Sequence, residues 1–304
     1  MLAALVAAGA MTTPAGAAAA GSTEGTLRTS DGRDRTYHLY VPPNLDPGRP
    51  VPLLVALHGG TGWGLQFEQN SGFDALADRH GFIVVYPDGV GVGPRGTALR
   101  TWNGGGCCGP AARQQVDDVG FIRQLIAEIE RTHSIDPHRV FATGHSNGGI
   151  LAYRLACEAA DVVVAIGVQS SSLELDRCQP SQPVSAIHIH GTADQNLPIG
   201  GGRGPNGVSG VSFRVPIEGA GALATADGCR RQPSTSRDRA NSDVTITRWT
   251  SCDDGTEVRF LTVAGASHAW MGHPTAVPRL VGPAYEKLDS TEVIWQFLST
   301  HPRR

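Results

Sequence analysis

Three short segments of this chain carry side chains whose types and order suit acyl transfer. In the first, "FATGHSNGGILAYRLACEAA" at residues 141–160, an apolar strand-like run ends in Gly144-His145-Ser146-Asn147-Gly148 and an amphipathic run starts at once. A serine between glycines at a strand-to-helix junction fits a nucleophile elbow, where small neighbours let the backbone turn sharply beneath the hydroxyl. Such turns also occur without chemistry, so the other segments decide. "HIHGTADQNLP" ends a later apolar run and presents Asp194, and "VAGASHAWMGHP" ends the last one and presents His268. A serine hydroxyl is a weak nucleophile until a base takes its proton. A carboxylate behind that base holds the imidazole tautomer and stabilises its charge. Ser146, Asp194 and His268 are therefore the expected catalytic residues. The developing oxyanion needs N–H donors; Gly60, in "LHGGT" at the end of an earlier apolar run, and Asn147, directly after the serine, are placed to supply them. This chemistry calls for no metal and no organic cofactor.

These residues need elements that bring them together. "TLRTSDGRDRTYHLYVPPNL" reads as two antiparallel strands around Asp31-Gly32, stopped by Pro42-Pro43. "VPLLVALHGG", "FIVVYP", "RVFATGHS", "VVVAIGV" and "VSAIHIHG" are apolar runs of the kind buried on both sheet faces. Helical spacing appears around Phe73, Leu76 and Ala77, in "DDVGFIRQLIAEIERTH", in 147–160 and near 217–226. "DVTITRWTS" and "TEVRFLTVAG" are two further strands around Asp253-Asp254-Gly255, and a last helix starts at Asp289, where Glu292 completes a capping-box pattern. Alternation of strands and helices predicts an α/β fold with a mostly parallel central sheet and helices on both faces. Chemistry then gathers beyond the carboxyl ends of the strands, which is where all three segments lie.

The chain has 304 residues, 40% hydrophobic and 17% charged, with a formal net charge of -3. That is enough apolar sequence for one large α/β domain, with no basic stripe to hold nucleic acid or a membrane surface. Residues 1–20, "MLAALVAAGAMTTPAGAAAA", are uncharged and end in small residues, as a secretory signal peptide does, although the usual basic start is missing. The expected layout is a signal peptide at 1–20 and one domain over 21–304, without a stable membrane anchor. Six cysteines, an even count, agree with export. Fifteen pairings are formally open. Chain proximity favours Cys157 with Cys178 and Cys229 with Cys252, which leaves Cys107 with Cys108.

Taken together, "LHGGTGWG", "TWNGGGCCG", "VDDVGFI", "GHSNGG", "HGTADQNLP" and "GASHAWMG" resemble the secreted esterase family that includes polyhydroxybutyrate depolymerases and feruloyl or acetylxylan esterases. The resemblance spans nearly all of the chain after its leader. It implies the α/β-hydrolase fold, in which a triad runs Ser…Asp…His along the chain, as Ser146, Asp194 and His268 do. Two departures bear on the substrate rim. Trp270-Met271-Gly272 stands where the family usually has Trp-Pro-Gly, and the helix before Cys229 lacks a tryptophan often found there.

The expected function is hydrolysis of carboxylic esters by a secreted serine esterase. Its expected substrate is a polysaccharide-linked feruloyl or acetyl ester, or a hydroxyalkanoate oligomer. Trp63, Trp102 and Trp270 are candidates to line an acyl cleft, or simply to pack the loops. A non-catalytic hydrolase-fold binding protein and a serine peptidase are the alternatives. The first would be expected to lose a triad member, and the second to encode a peptide-side pocket. His188 and His190 fall on one strand face and His273 lies near His268, but partners at metal-ligand spacing are absent. Asp117 and Asp118 fit helix capping better than an acid pair, and His145 a packing or rim position better than a second base.

Overall fold

The computed structural model describes residues 21–304 apart from 47, 94, 95 and 276; the expected signal peptide lies outside the described residues. Strands β1 (Gly21–Arg28) and β2 (Asp34–Val41) form the expected hairpin. β3 (Val51–Leu57), β4 (Ile83–Pro87), β7 (Ile135–His145), β8 (Ala165–Gln169), β9 (Ser185–Gly191) and β12 (Val258–Val263) follow the apolar runs. With β10 (Ser234–Arg237) and β11 (Val244–Trp249) they make one ten-stranded sheet in the order β1-β2-β4-β3-β7-β8-β9-β12-β11-β10. From β4 to β12 every neighbouring pair is parallel, and the pairs at both edges are antiparallel.

Alternation along β3 shows why its sequence is apolar throughout. Leu53, Val55 and Leu57 face one way, onto helices α4 (Asp118–Thr132), α5 (Asn147–Glu158) and α6 (Pro216–Ala226). Leu54 and Ala56 face the other way, onto α1 (Gly64–Ser71), α2 (Phe73–His80) and α8 (Ser290–Ser299). Successive strand side chains point to opposite faces, so a strand covered on both sides has no polar position to spare. Each fully buried leucine contributes roughly 1.5–3 kcal/mol of transfer free energy.

The expected helix starts at α4 and α8 are each followed in part. Asp117 caps α4, its Oδ1 accepting the Gly120 N–H at 2.8 Å. Asp118 instead turns inward and pairs with Arg35. Asp289 caps α8 by accepting from Thr291 and Glu292, but the Glu292 carboxylate goes to Arg79, so only half of the expected capping box forms. Three stretches depart from the sequence expectation. α1, with the polar sequence GLQFEQNS, shows almost no apolar period; β10 is exposed along its length; and the stretch 88–115 contains a hairpin, β5 (Val90–Val92) with β6 (Ala98–Thr101), and the short helix α3 (Gly109–Arg113). A last short helix, α7 (Pro278–Val281), precedes α8. Cysteines pair as chain proximity favours: Cys157 with Cys178, Cys229 with Cys252, and Cys107 with Cys108.

Candidate active site

Ser146 sits between β7 and α5 at φ 54° and ψ -121°, a region that costs a non-glycine residue of order 1–3 kcal/mol. Its neighbours explain how the turn closes. A Cβ on Gly148 would lie 2.2 Å from the Leu57 carbonyl oxygen, and one on Gly144 would lie 2.4 Å from the Gly148 carbonyl carbon. Only glycine admits that approach of β3, β7 and α5. The Ser146 N–H is held by the Gln169 carbonyl at 2.9 Å.

The carboxyl ends of β9 and β12 bring the other two residues to this turn. Ser146 Oγ lies 2.9 Å from His268 Nε2, and His268 Nδ1 lies 2.7 Å from Asp194 Oδ2. Asp194 Oδ1 accepts the Asn196 and Leu197 N–H groups, both at 2.9 Å. Burial alone pushes the Asp194 carboxyl up, but the charge and hydrogen bond of His268, with help from His190 and the Leu197 N–H, bring it below its ordinary value. An ionised Asp194 can only accept, so Nδ1–H of His268 donates to it and Nε2 is left to accept from Ser146.

Asn147 opens α5, so its N–H lies outside the helical ladder. Its side chain is locked elsewhere: Oδ1 accepts the Trp102 N–H at 2.7 Å and Nδ2 donates to the Trp102 carbonyl at 3.0 Å. A Cβ on Gly60 would stand 3.6 Å from Asn147 Cβ, so the β3 loop and the start of α5 meet beside the serine.

The three tryptophans separate. Trp63 is 45% exposed, whereas Trp102 is 0% and Trp270 7% exposed. Trp102 packs against the His58 ring, and its Nε1–H donates to the His58 carbonyl at 3.0 Å. Trp270 wedges between Phe67, Phe73 and His145 while its Nε1–H donates to Thr291 Oγ1 at 3.0 Å. Trp102 and Trp270 are thus buried with each indole N–H on a buried acceptor, while Trp63 remains open to solvent.

Two residues around the site, Gln169 and His58, were not singled out from sequence, and the other histidines noted there pack close by. Gln169, fully buried at the end of β8, donates to the Ala269 carbonyl and accepts from the Met271 N–H and Ser290 Oγ, which fixes the loop carrying His268. His145 is also internal; its Nε2–H donates to the His268 carbonyl at 2.6 Å. Burial, with the nearby His268, pushes His145 down to about 3, so it braces the loop as a neutral ring. His58 is pushed by burial to about 4 and accepts the Gly89 N–H. His188 and His190 bond to each other, and His273 pairs with Asp289. A polar residue at a strand end was the available signal for Gln169. Nothing in its own segment marks it further.

The parallel sheet, the serine on the turn after β7, and partners delivered from the ends of β9 and β12 define an α/β-hydrolase fold. The chain belongs to the family described as esterase PHB depolymerase, whose profile matches residues 35–193. It is 28% identical over 242 residues to a bifunctional acetylxylan esterase/xylanase of Neocallimastix patriciarum, covering 80% of this chain and 32% of that protein. It is 30% identical over 246 residues to feruloyl esterase B of Piromyces equi, covering 77% of this chain and 42% of that protein. The chain thus spans less than half the length of these two relatives. Among solved structures, an acetyl xylan esterase from Aspergillus awamori shares the fold at a TM-score of 0.58 and 17% identity, over 81% of this chain and 94% of that one.

Proposed function

We propose that this protein is a secreted serine esterase that hydrolyses carboxylic esters through Ser146, His268 and Asp194. The observation that carries the reading is the continuous hydrogen-bonded line from Ser146 Oγ through His268 to Asp194 Oδ2, with the serine on a strained turn. His268 Nε2 takes the hydroxyl proton as Ser146 Oγ attacks the acyl carbon, and Asp194 stabilises the imidazolium that forms. The backbone N–H groups of Gly60 and Asn147 bind the tetrahedral oxyanion, each such donor contributing about 3–4 kcal/mol of barrier lowering. His268 then returns its proton to the leaving alcohol, and water repeats the sequence on the acyl-enzyme. His145 does not compete as a base, since a ring with its pKa near 3 and its Nε2–H committed to a carbonyl is a poor proton acceptor.

The proposed substrates are feruloyl or acetyl esters on plant polysaccharide, the chemistry that the names of the two curated relatives carry. Hydroxyalkanoate oligomers are the second reading, favoured by the family description. Export is supported by three cysteine pairs, which persist in an oxidising compartment. A panel of methyl ferulate, p-nitrophenyl acetate, acetylated xylan and hydroxybutyrate oligomers tests the reading. Turnover of p-nitrophenyl acetate and a marked preference for one polysaccharide ester are expected. No turnover of any ester would favour a binding protein, and turnover of peptides alone a peptidase.

A further inference from the structure

Behind Asp194 lies a buried line of polar rings that the reaction above does not use. Tyr153 OH is 2.9 Å from His188 Nδ1, His188 Nε2 is 3.0 Å from His190 Nδ1, and His190 Nε2 is 2.9 Å from the Leu197 carbonyl oxygen. All three side chains are fully buried, one on α5 and two on β9.

One atom orients the whole line. A carbonyl oxygen can only accept, so His190 Nε2 carries its hydrogen. Burial lowers the pKa of both rings, which are therefore neutral. His190 Nδ1 is then bare and accepts, so His188 Nε2 must carry the hydrogen and its Nδ1 must accept from Tyr153 O–H. Phe260 lies against both rings, with centroids 4.6 Å from His188 and 6.3 Å from His190.

The line ends on the residue that aims the acid. Leu197 receives His190 at its carbonyl and gives its own N–H to Asp194 Oδ1. With Oδ1 also holding the Asn196 N–H, Oδ2 is the oxygen left for His268, and His190 Nε2 stands 3.6 Å from it. We infer that His190, backed by His188 and Tyr153, is a positioning residue for Asp194: a one-way chain of hydrogen bonds fixes Leu197 at its carbonyl, and the N–H of the same residue holds the carboxylate that faces His268. This rests on the esterase reading above.

Three variants test it: His190→Phe, which removes the donor; His190→Gln, whose amide N–H can reach the Leu197 carbonyl; and Tyr153→Phe, which cuts the far link. A fluorophosphonate probe counts active sites, so turnover is read per labelled site. His190→Phe is expected to lower kcat per site about 10–100-fold, the scale on which loss of a supporting hydrogen bond behind a ligating side chain acts at metal sites, with KM nearly unchanged. His190→Gln is expected to recover most of that loss. In ¹⁵N spectra of histidine-labelled protein, His188 and His190 should both be neutral Nε2–H tautomers, and His190 should stay so in Tyr153→Phe. The spectra and Tyr153→Phe keep the test open if His190→Phe does not fold. Fewer labelled sites with wild-type kcat per site in His190→Phe, or an Nδ1–H tautomer at His190, would overturn the inference. Failure of the wild type to label at Ser146 would instead overturn the esterase reading beneath it.

Discussion

Two glycine-rich loops flank the candidate site, and they are held in different ways. The stretch 88–117, between β4 and α4, is pinned by groups from far along the chain. Arg35 Nη2 pairs with Asp118 Oδ1 at 2.8 Å and also donates to the Asp88 carbonyl, while Asp118 Oδ2 accepts the Asn103 N–H at 2.7 Å. The Arg35 guanidinium lies 4.0 Å from the centroid of the Phe121 ring, and the buried Cys107 and Cys108 pack with Ile150 and Leu197. The stretch 192–215, between β9 and α6, is fixed at its start around Asp194 and Leu197 and near its end by the Arg214 N–H, which donates to Glu174 Oε1 at 3.0 Å. Beyond residue 199 it is closed by a bridge between Gly202 and Phe213, and Val208 at its tip is 67% exposed. Both stretches are rich in glycine, but a buried ion pair holds the first while the tip of the second stays open. Buried polar partners, rather than glycine content, decide which parts of a loop are held in place.

That contrast can be broken at graded cost. Asp194→Asn strikes the fixed start of the second loop. It is expected to lower kcat about 10⁴-fold with the melting temperature little changed, because the amide favours the wrong His268 tautomer. Near-normal turnover would show that the anchored carboxylate is not the acid.

Asp118→Ala strikes the first loop and leaves the Arg35 charge buried without its partner. Such a break costs roughly 3–5 kcal/mol, read as a fall in the denaturation midpoint, and the loop carrying Trp102 should become protease-sensitive. A loss below about 1 kcal/mol would mean that the pair does not hold the loop.

Asp227 sharpens the comparison, since it is a buried carboxylate with less support. One oxygen accepts the Val184 N–H, and the other has no hydrogen-bond partner among the described residues. Burial, with a contribution from Asp253, pushes this carboxyl up to about 7 from 3.8. The folded state therefore binds the proton more tightly than the unfolded chain. Its contribution to stability is full below pH 3.8 and is lost as pH rises through about 7. Asp227→Asn should flatten the decline in melting temperature over that window and make the protein more stable than wild type at alkaline pH. An unchanged pH profile would contradict the assignment. The smallest effect is expected at the open tip: Val208→Ser should shift stability by no more than about 0.5 kcal/mol.

Much of the site was legible because its signals are local. A serine between glycines at a strand end, an aspartate after "HGTAD" and a histidine in "GASHAW" each announce themselves within a few residues. Continuous apolar runs of strand length placed the buried strands for the same reason. What escaped depends on contacts distant in sequence. The burial of Trp102 and Trp270 depends on acceptors for their indole N–H groups, the His58 carbonyl and Thr291, 44 and 21 residues away. Asp118 reads as part of a helix cap, and only Arg35, 83 residues earlier, draws it inward. The hairpin β5–β6 was hidden among glycines, and α1 lacks the apolar period that marks a helix.

The central claim is that Ser146, raised on its strained turn and bonded to His268, is the nucleophile. Labelling of wild type and Ser146→Ala with a fluorophosphonate probe, followed by peptide mass spectrometry and assay on p-nitrophenyl acetate, tests it most directly. Stoichiometric modification of Ser146 in the wild type is predicted, with neither labelling nor ester turnover in a folded Ser146→Ala protein. Full labelling or retained turnover in Ser146→Ala would contradict it.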